Sequence, residues 1–409
     1  MAQGEVFFKR AGYRQVPRRA VLGGATLTAL SPAVLGESAS AAGLGSATTA
    51  ATSTPVNPTS PFALPVLSDA LDLDTPQYYE TLQAGTRRVP RARQNADLDG
   101  DGSDELLLRT PSGVLAWRYA PEWGQWLDLI GAGPTWSDST GWDVAEHYTT
   151  IQTADVDGDG RAELIGRGPD GLEVVRYDPG AADDAPHWIP LTFPATSLPQ
   201  DLLWTDPRYY STMQCADIDG HGRDELLVRG PDGLLAWRLE EASSGYGWTP
   251  LATNTDLSDA AGWEHPEYYE TIQCAHVDDS GSARLLGRGE GALLVWSYDA
   301  ASDSWSSSQA QNLTDVSDAN GWDDPERYTT LQCADINGDG VDELLGLDDD
   351  GMRAWRLTPT GWVQLATAAQ LASPSGWQET GYGSTLQCAD LDGDGRAELF
   401  GRGAGGVRT

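Results

Sequence analysis

Apolar residues fall along this chain in short runs rather than at helical spacing, and the runs return in the same order several times. In one copy YTTLQCAD reads as an inner strand entering a polar loop, ELLGL as a second strand, DDDG as a turn and MRAWRL as a third, with a fourth strand near Trp362 to Leu365. No segment sustains a helical apolar period. The polar loops are ADLDGDGSDEL, ADVDGDGRAEL, ADIDGHGRDEL, AHVDDSGSARL, ADINGDGVDEL and ADLDGDGRAEL, beginning at Asp97, Asp155, Asp217, His276, Asp335 and Asp390. The steps between them are 58, 62, 59, 59 and 55 residues, so one supersecondary unit is repeated. Four short antiparallel strands per unit predict an all-β fold, a β-propeller of six (or seven) four-stranded blades.

The loops carry the clearest chemistry. Five of the six place Asp first, Asp or Asn third and Glu ninth. A hard cation such as Ca2+ takes six to eight oxygens, and a tight turn with carboxylates at alternate positions aims them at one point. In the first repeat the expected donors are Asp97, Asp99, Asp101, the Ser103 carbonyl and Glu105, with Gly100 and Gly102 permitting the turn. The second offers Asp155, Asp157, Asp159, the Arg161 carbonyl and Glu163; the sixth offers Asp390, Asp392, Asp394, the Arg396 carbonyl and Glu398. The fifth has Asp335, Asn337, Asp339, the Val341 carbonyl and Glu343, one charge fewer. The third keeps Asp217, Asp219 and Glu225 but carries His221, and should bind weakly. In the fourth, His276, Asp278, Ser280 and Arg284 make a loop expected to be empty. The expected cofactor is therefore Ca2+ at about five sites. Without a cation, carboxylates about 4 Å apart repel by roughly 1 to 4 kcal/mol per pair.

These residues resemble the FG-GAP (VCBS) repeats of integrin α-chain β-propellers, and LFGRGAGG at Leu399 to Gly406 is closest to the motif that names them. The resemblance covers about residues 62 to 409. It implies a calcium-binding propeller that acts as a binding or adhesion module. It also brings in fungal and bacterial lectins of similar build that bind monosaccharides between blades, and related propellers found in polysaccharide lyases.

The ends bear on blade counting. FALPVLSDALDLDTPQYYETLQ aligns with strand-four and inner-strand segments elsewhere and should complete the last blade, while the chain stops at GVRT, where strand three of the sixth repeat is expected. The first repeat is interrupted by AGTRRVPRARQN, an arginine-rich excursion expected to be exposed.

Cys215, Cys274, Cys333 and Cys388 occupy one position in four successive inner strands. Stacked sheets lie about 10 Å apart and a disulfide needs Cα atoms about 5 to 6 Å apart, so buried thiols are expected. Of the 16 tryptophans among 409 residues, 14 fall in three sets. Trp117, Trp237, Trp296 and Trp355 lie in strand three, and Trp126, Trp188, Trp248, Trp305 and Trp362 near strand four. Trp142, Trp204, Trp263, Trp322 and Trp377 lie in the inter-blade loops. The strand sets should wedge between blades. The loop set is the candidate platform for sugar faces in a lectin.

Charge excludes some partners. With 61 acidic and 26 basic residues and a formal charge of -35, the chain is unsuited to nucleic acid or an anionic membrane surface. Residues 1 to 41 read as a signal peptide: a basic segment with the Arg18-Arg19 pair, resembling a twin-arginine signal, precedes the apolar run from Ala20 to Leu30 and ASAA at Ala39 to Ala42. Residues 42 to 61, rich in Ala, Thr, Ser and Pro, read as a disordered linker. No apolar run reaches membrane-spanning length. The expectation is a secreted, extracellular monomer exported across a bacterial membrane, whose partner is a carbohydrate or an extracellular protein. No nucleophile has the context of GxSxG or CxxC, and two of five histidines lie inside the loops, so no enzyme is expected.

Overall fold

The computed structural model describes residues 83–84, 97–120, 123, 125–129, 133–182, 186–192, 205–242, 245–368, 386–390, 394–403 and 406–408. The leader, the linker, the 62–82 segment expected to complete the last blade and nearly all of the arginine-rich excursion lie outside these residues, as do Trp204, Trp377 and Asp392.

Among the described residues the strands form six antiparallel sheets, five of four strands and one of three. The fifth blade is representative: Gln332–Ala334, Glu343–Asp348, Gly351–Thr358 and Gly361–Ala368, each paired with the next. The sixth has Gln387–Ala389, Glu398–Gly403 and Gly406–Arg408. The fold is thus an all-β propeller of four-stranded antiparallel blades, five of them complete in the described residues.

Burial falls from the inside of each blade outwards, and this explains the sequence pattern. Glu343–Asp348 is buried at every position, whereas the outer strand Gly361–Ala368 is mostly exposed. A strand covered on both faces by neighbouring blades reads as a continuous apolar run, not an alternation. The core accordingly lies between blades: Ile218, Leu227, Leu234 and Ala236 of the third pack with Trp263, Cys274, Leu285 and Trp296 of the fourth. All four cysteines are buried and none is in a disulfide, and burial pushes the Cys388 thiol up to about 12.

Two features differ from the strand reading. The segment read as the start of each inner strand begins instead with one helical turn, as at Pro207–Tyr210, Pro266–Tyr269 and Pro325–Tyr328. Proline at the first helical position and an N-cap favour this turn; Asp324 accepts from the Glu326 N–H at 2.9 Å. The strand proper starts only at the glutamine.

The three described loop tryptophans are also not platforms. Trp142, Trp263 and Trp322 are 1%, 5% and 2% exposed. Their rings lie over glycines of the adjoining second strand, where a Cβ on Gly166, Gly287 or Gly346 would come within 2.7, 2.7 and 2.6 Å of the ring. Trp142 also stacks on Trp136 with centroids 4.4 Å apart. Gly346→Ala, which would also press on Leu331 at 2.9 Å, is expected to cost about 1–3 kcal/mol by overpacking. Urea unfolding of the variant reads this directly; an unchanged midpoint would show that the ring can move aside.

Backbone hydrogen bonds join each acidic loop to the next. Ala162 N–H donates to the Asp97 carbonyl (2.9 Å), Asp224 to Asp155 (2.7 Å), Ala283 to Asp217 (2.7 Å), Asp342 to His276 (2.8 Å) and Ala397 to Asp335 (2.8 Å). Asp104 then donates to Asp390 at 3.1 Å, linking the first loop to the last. Six loops are thereby tied into a closed circuit.

Candidate metal centres

In every loop but the fourth, which begins with His276, the first Asp organises the turn. Asp97 Oδ1 accepts from Gly100 N–H (2.7 Å) and Asp101 N–H (3.0 Å), and its Oδ2 accepts from Gly102 N–H (3.0 Å). Gly100 and Gly102 have φ of 80° and 91°, the left-handed region that a side chain disfavours. Asp155 receives Gly158 and Gly160, Asp217 receives Gly220, His221 and Gly222, Asp335 receives Gly338 and Gly340, and Asp390 receives Asp394 and Gly395 in the same way. The fifth-position carboxylate is then fixed by the seventh residue: Ser103, Arg161, Val341 and Arg396 donate their N–H to Asp101, Asp159, Asp339 and Asp394 at 3.0, 3.0, 3.1 and 2.9 Å.

The ninth-position Glu closes the loop from the start of the second strand. Glu105, Glu163, Glu225 and Glu343 are each 0% exposed. One oxygen of each accepts an N–H from the second loop residue: Leu98 at 2.7 Å, Val156 at 3.1 Å, Ile218 at 3.0 Å and Ile336 at 3.2 Å. The other oxygen differs among repeats. Glu105 Oε1 and Glu163 Oε1 are buried with no hydrogen-bond partner, an arrangement that is costly for a carboxylate unless a cation answers it.

Among the described residues, three groups bring candidate ligand atoms within 4.8 Å of one another: Asp97, Asp99 and Asp101; Asp155, Asp157 and Glu163; Asp217, Asp219 and Glu225. These clusters of acidic residues could hold metal ions, and the donor set is all oxygen, as a hard divalent cation requires. In the sixth loop Asp390, Asp394 and Glu398 are described and Asp392 is not. The fourth loop has a different character, since Arg284 Nε donates to Asp278 Oδ2 at 2.8 Å where the others have a carboxylate.

Burial and mutual repulsion push these carboxyls up. Glu163 rises to about 9 through desolvation, then the Asp157 and Asp155 charges. Asp155 rises to about 6 through desolvation, then the Asp224 charge. Glu105 lies well above its usual range for the same first reason. A carboxyl whose folded value exceeds its unfolded one stabilises the fold while protonated, fully below the unfolded value, and loses that contribution as pH rises through the folded one. Metal-free protein should therefore melt several degrees lower at about pH 8 than at about pH 5, the window that Glu163 and Asp155 span. Saturating calcium should flatten the slope, since a cation then replaces the proton. Thermal melts in both states check this, and a melting point that rises with pH without metal would contradict it.

The sequence reading missed a set of arginines. Arg118, Arg176, Arg238 and Arg356 occupy one position in the third strand, immediately after Trp117, Val175, Trp237 and Trp355, and each reaches the acidic loop of its own blade. The signal was present in AWRY, VVRY, AWRL and AWRL, where a charged residue recurs beside a buried one. In the fourth blade the position is Ser297.

Two cavities lie among the described residues. On the inner strands a cavity of about 290 Å³ is lined by Gln152, Gln214, Gln332 and Gln387 behind Ile151, Met213, Ile272 and Leu331. A shallower one of about 610 Å³ lies between the third loop and the fourth blade, lined by Asp219, His221, Arg284, Ser297, Tyr298 and Asp299.

Fold and loops together define a β-propeller whose blades carry acidic loops. Residues 335–401 match the family model described as FG-GAP-like repeat. An Agrocybe aegerita lectin, whose structure concerns recognition of non-reducing terminal N-acetylglucosamine, is similar at 18% identity, with 78% of this chain and 75% of that chain covered and a TM-score of 0.54. The Tc holotoxin pore of Photorhabdus luminescens is 17% identical over 79% of this chain and 14% of that chain, with a TM-score of 0.44. An exotype rhamnogalacturonan lyase is 16% identical over 80% of this chain and 72% of that chain, with a TM-score of 0.34. No curated protein matches this chain. Among the described residues no helix is long and apolar enough to cross a membrane.

Proposed function

We propose that this protein is a calcium-stabilised propeller that works as a binding or adhesion module outside the cell, and not as an enzyme. One observation carries the calcium reading: Glu105 and Glu163 each bury an unpartnered oxygen among neighbouring loop carboxylates. Asp97, Asp99, Asp101 and Glu105 would hold the ion in the first loop, and Asp155, Asp157, Asp159 and Glu163 in the second. The ion would supply charge neutralisation and fix the blade edge; the backbone N–H groups on Asp97 and Asp155 set the turn before it arrives. The strongly acidic composition and the leader-like N-terminal sequence support export. Isothermal titration of the metal-stripped chain tests the reading. Saturable Ca2+ binding at more than one site, with Kd of about 0.1 to 1 mM, is expected; no saturable heat up to about 10 mM would overturn it.

A carbohydrate ligand is a second reading. It is supported by the cavity between the third loop and the fourth blade, where Arg284, Ser297 and Asp299 bring hydrogen-bonding groups to one concave surface, as a cleft with a few convergent polar groups suits a small polar ligand. Because Trp263 and Trp322 are buried, the informative variants on a glycan array are Arg284→Ala and Asp299→Ala. Selective binding lost in both would support this reading; silence of the unaltered chain would remove it.

A further inference from the structure

The third-strand arginines do not all rest in the same place. In the first blade Arg118 lies 3.4 Å from Asp101 and 3.8 Å from Asp99. In the second, Arg176 lies 3.0 Å from Asp157 and 3.6 Å from Asp159. Both leave the second oxygen of the closing glutamate, Glu105 or Glu163, without a partner. In the third and fifth blades the same arm reaches that oxygen. Arg238 Nε donates to Glu225 Oε1 at 3.1 Å while its NH2 pairs with Asp219. Arg356 NH1 lies 2.6 Å from Glu343 Oε1 and 2.9 Å from Asp339, and Asn337 Nδ2 donates to the same Glu343 oxygen at 2.6 Å. The fourth blade, which has lost its closing glutamate to Arg284, has also lost the arm, which is Ser297.

We propose that this arginine is a built-in competitor of the cation and divides the loops into two affinity classes. The inference rests on the calcium reading above. The first and second loops keep the closing carboxylate open and fill first. In the third and fifth the guanidinium occupies the oxygen that the ion requires, so filling must displace a charge-assisted hydrogen bond from a half-buried arginine to a buried glutamate, among the stronger bonds a protein makes. The arm stays in the blade either way, because a third-strand residue can turn from the closing Glu to the outer loop carboxylates, the position Arg118 and Arg176 already hold. The fourth loop is the limiting case, with the positive charge written permanently into position nine.

Calcium titration of the full chain tests this. The unaltered protein should show two classes of site separated by about 10- to 100-fold in Kd, the cost of one charge-assisted bond. Arg238→Gln and Arg356→Gln should each move one weak site towards the tight class, by about tenfold or more, whereas Arg176→Gln, whose arm leaves Glu163 open, should gain less than about threefold. Arg353→Gln removes a charge from the opposite end of the fifth blade's strands, where Arg353 pairs with Asp348 and Asp350, and measures the effect of net charge alone. Arg238→Lys keeps the charge without the planar fork and should fall between the unaltered chain and Arg238→Gln. Thermal melts with and without calcium confirm that each variant folds. Equal gains in all variants, or unchanged sites in Arg238→Gln and Arg356→Gln with normal binding by the parent, overturn the inference. Absence of calcium binding by the parent overturns the calcium reading instead.

Discussion

Stripping calcium is expected to lower the melting temperature by about 6 to 10 °C. With extracellular-type affinities near 0.1 mM and calcium near 1 mM, each filled loop contributes about 1.4 kcal/mol. Five loops sum to roughly 7 kcal/mol, and roughly 4 if only the first, second and sixth fill well. An unfolding entropy of about 2 cal/mol/K per residue over roughly 350 residues makes one degree worth about 0.7 kcal/mol. The effect should reverse on adding calcium back and should not appear with magnesium, which prefers to keep its water and a strict octahedron. Melts recorded in EDTA, then in excess calcium, measure it, and identical curves would sink the calcium claim.

The second large effect is expected at a buried arginine. Arg288, with a side chain 0% exposed, pairs with Asp318 of the loop leading to the next blade. Asp318 also accepts from the Tyr268 hydroxyl at 2.9 Å, and the guanidinium lies 5.2 Å over the Tyr268 ring. Arg229 with Asp259 and Tyr209 repeats the arrangement. Arg288→Leu should cost about 3 to 5 kcal/mol, because the charge of Asp318 loses its partner. The lower end is expected, since Asp318 is 28% exposed. The sequence carries an uncharged counterpart: the fifth repeat has Leu347 at the arginine position, and Ser373 stands four residues before Trp377, as Asp318 stands before Trp322. Arg288→Leu/Asp318→Ser should therefore recover more than half of the loss, helped by removing two guanidinium nitrogens that have no hydrogen-bond partner. A double-mutant cycle by urea unfolding decides it, and additive losses would refute the pairing argument.

How much of this was legible beforehand depends on the range of the interaction. The repeat, the loop chemistry and the packed thiols could be read because each is set within about a dozen residues by spacing and residue type. The helical turns were missed although Asp324-Pro325 announced one, since the following Tyr and Thr residues suit a strand equally well. The burial of Trp263 is decided by the missing side chain of Gly287 on a neighbouring strand, and no local pattern ties the two together. Arg238 and Glu225 meet across a hairpin at a separation of 13 residues. The residue pattern marks Glu225 as a ligand and gives no role to Arg238.

The circuit of hydrogen bonds from loop to loop changes how such a molecule can fail. An open array of repeats has a first and a last member, each held on one side only, and it frays inward from them. When Asp104 N–H meets the Asp390 carbonyl, no blade is terminal. The structure behaves as a hoop: to free one blade, two joints must open together, so strain applied anywhere is carried by all six.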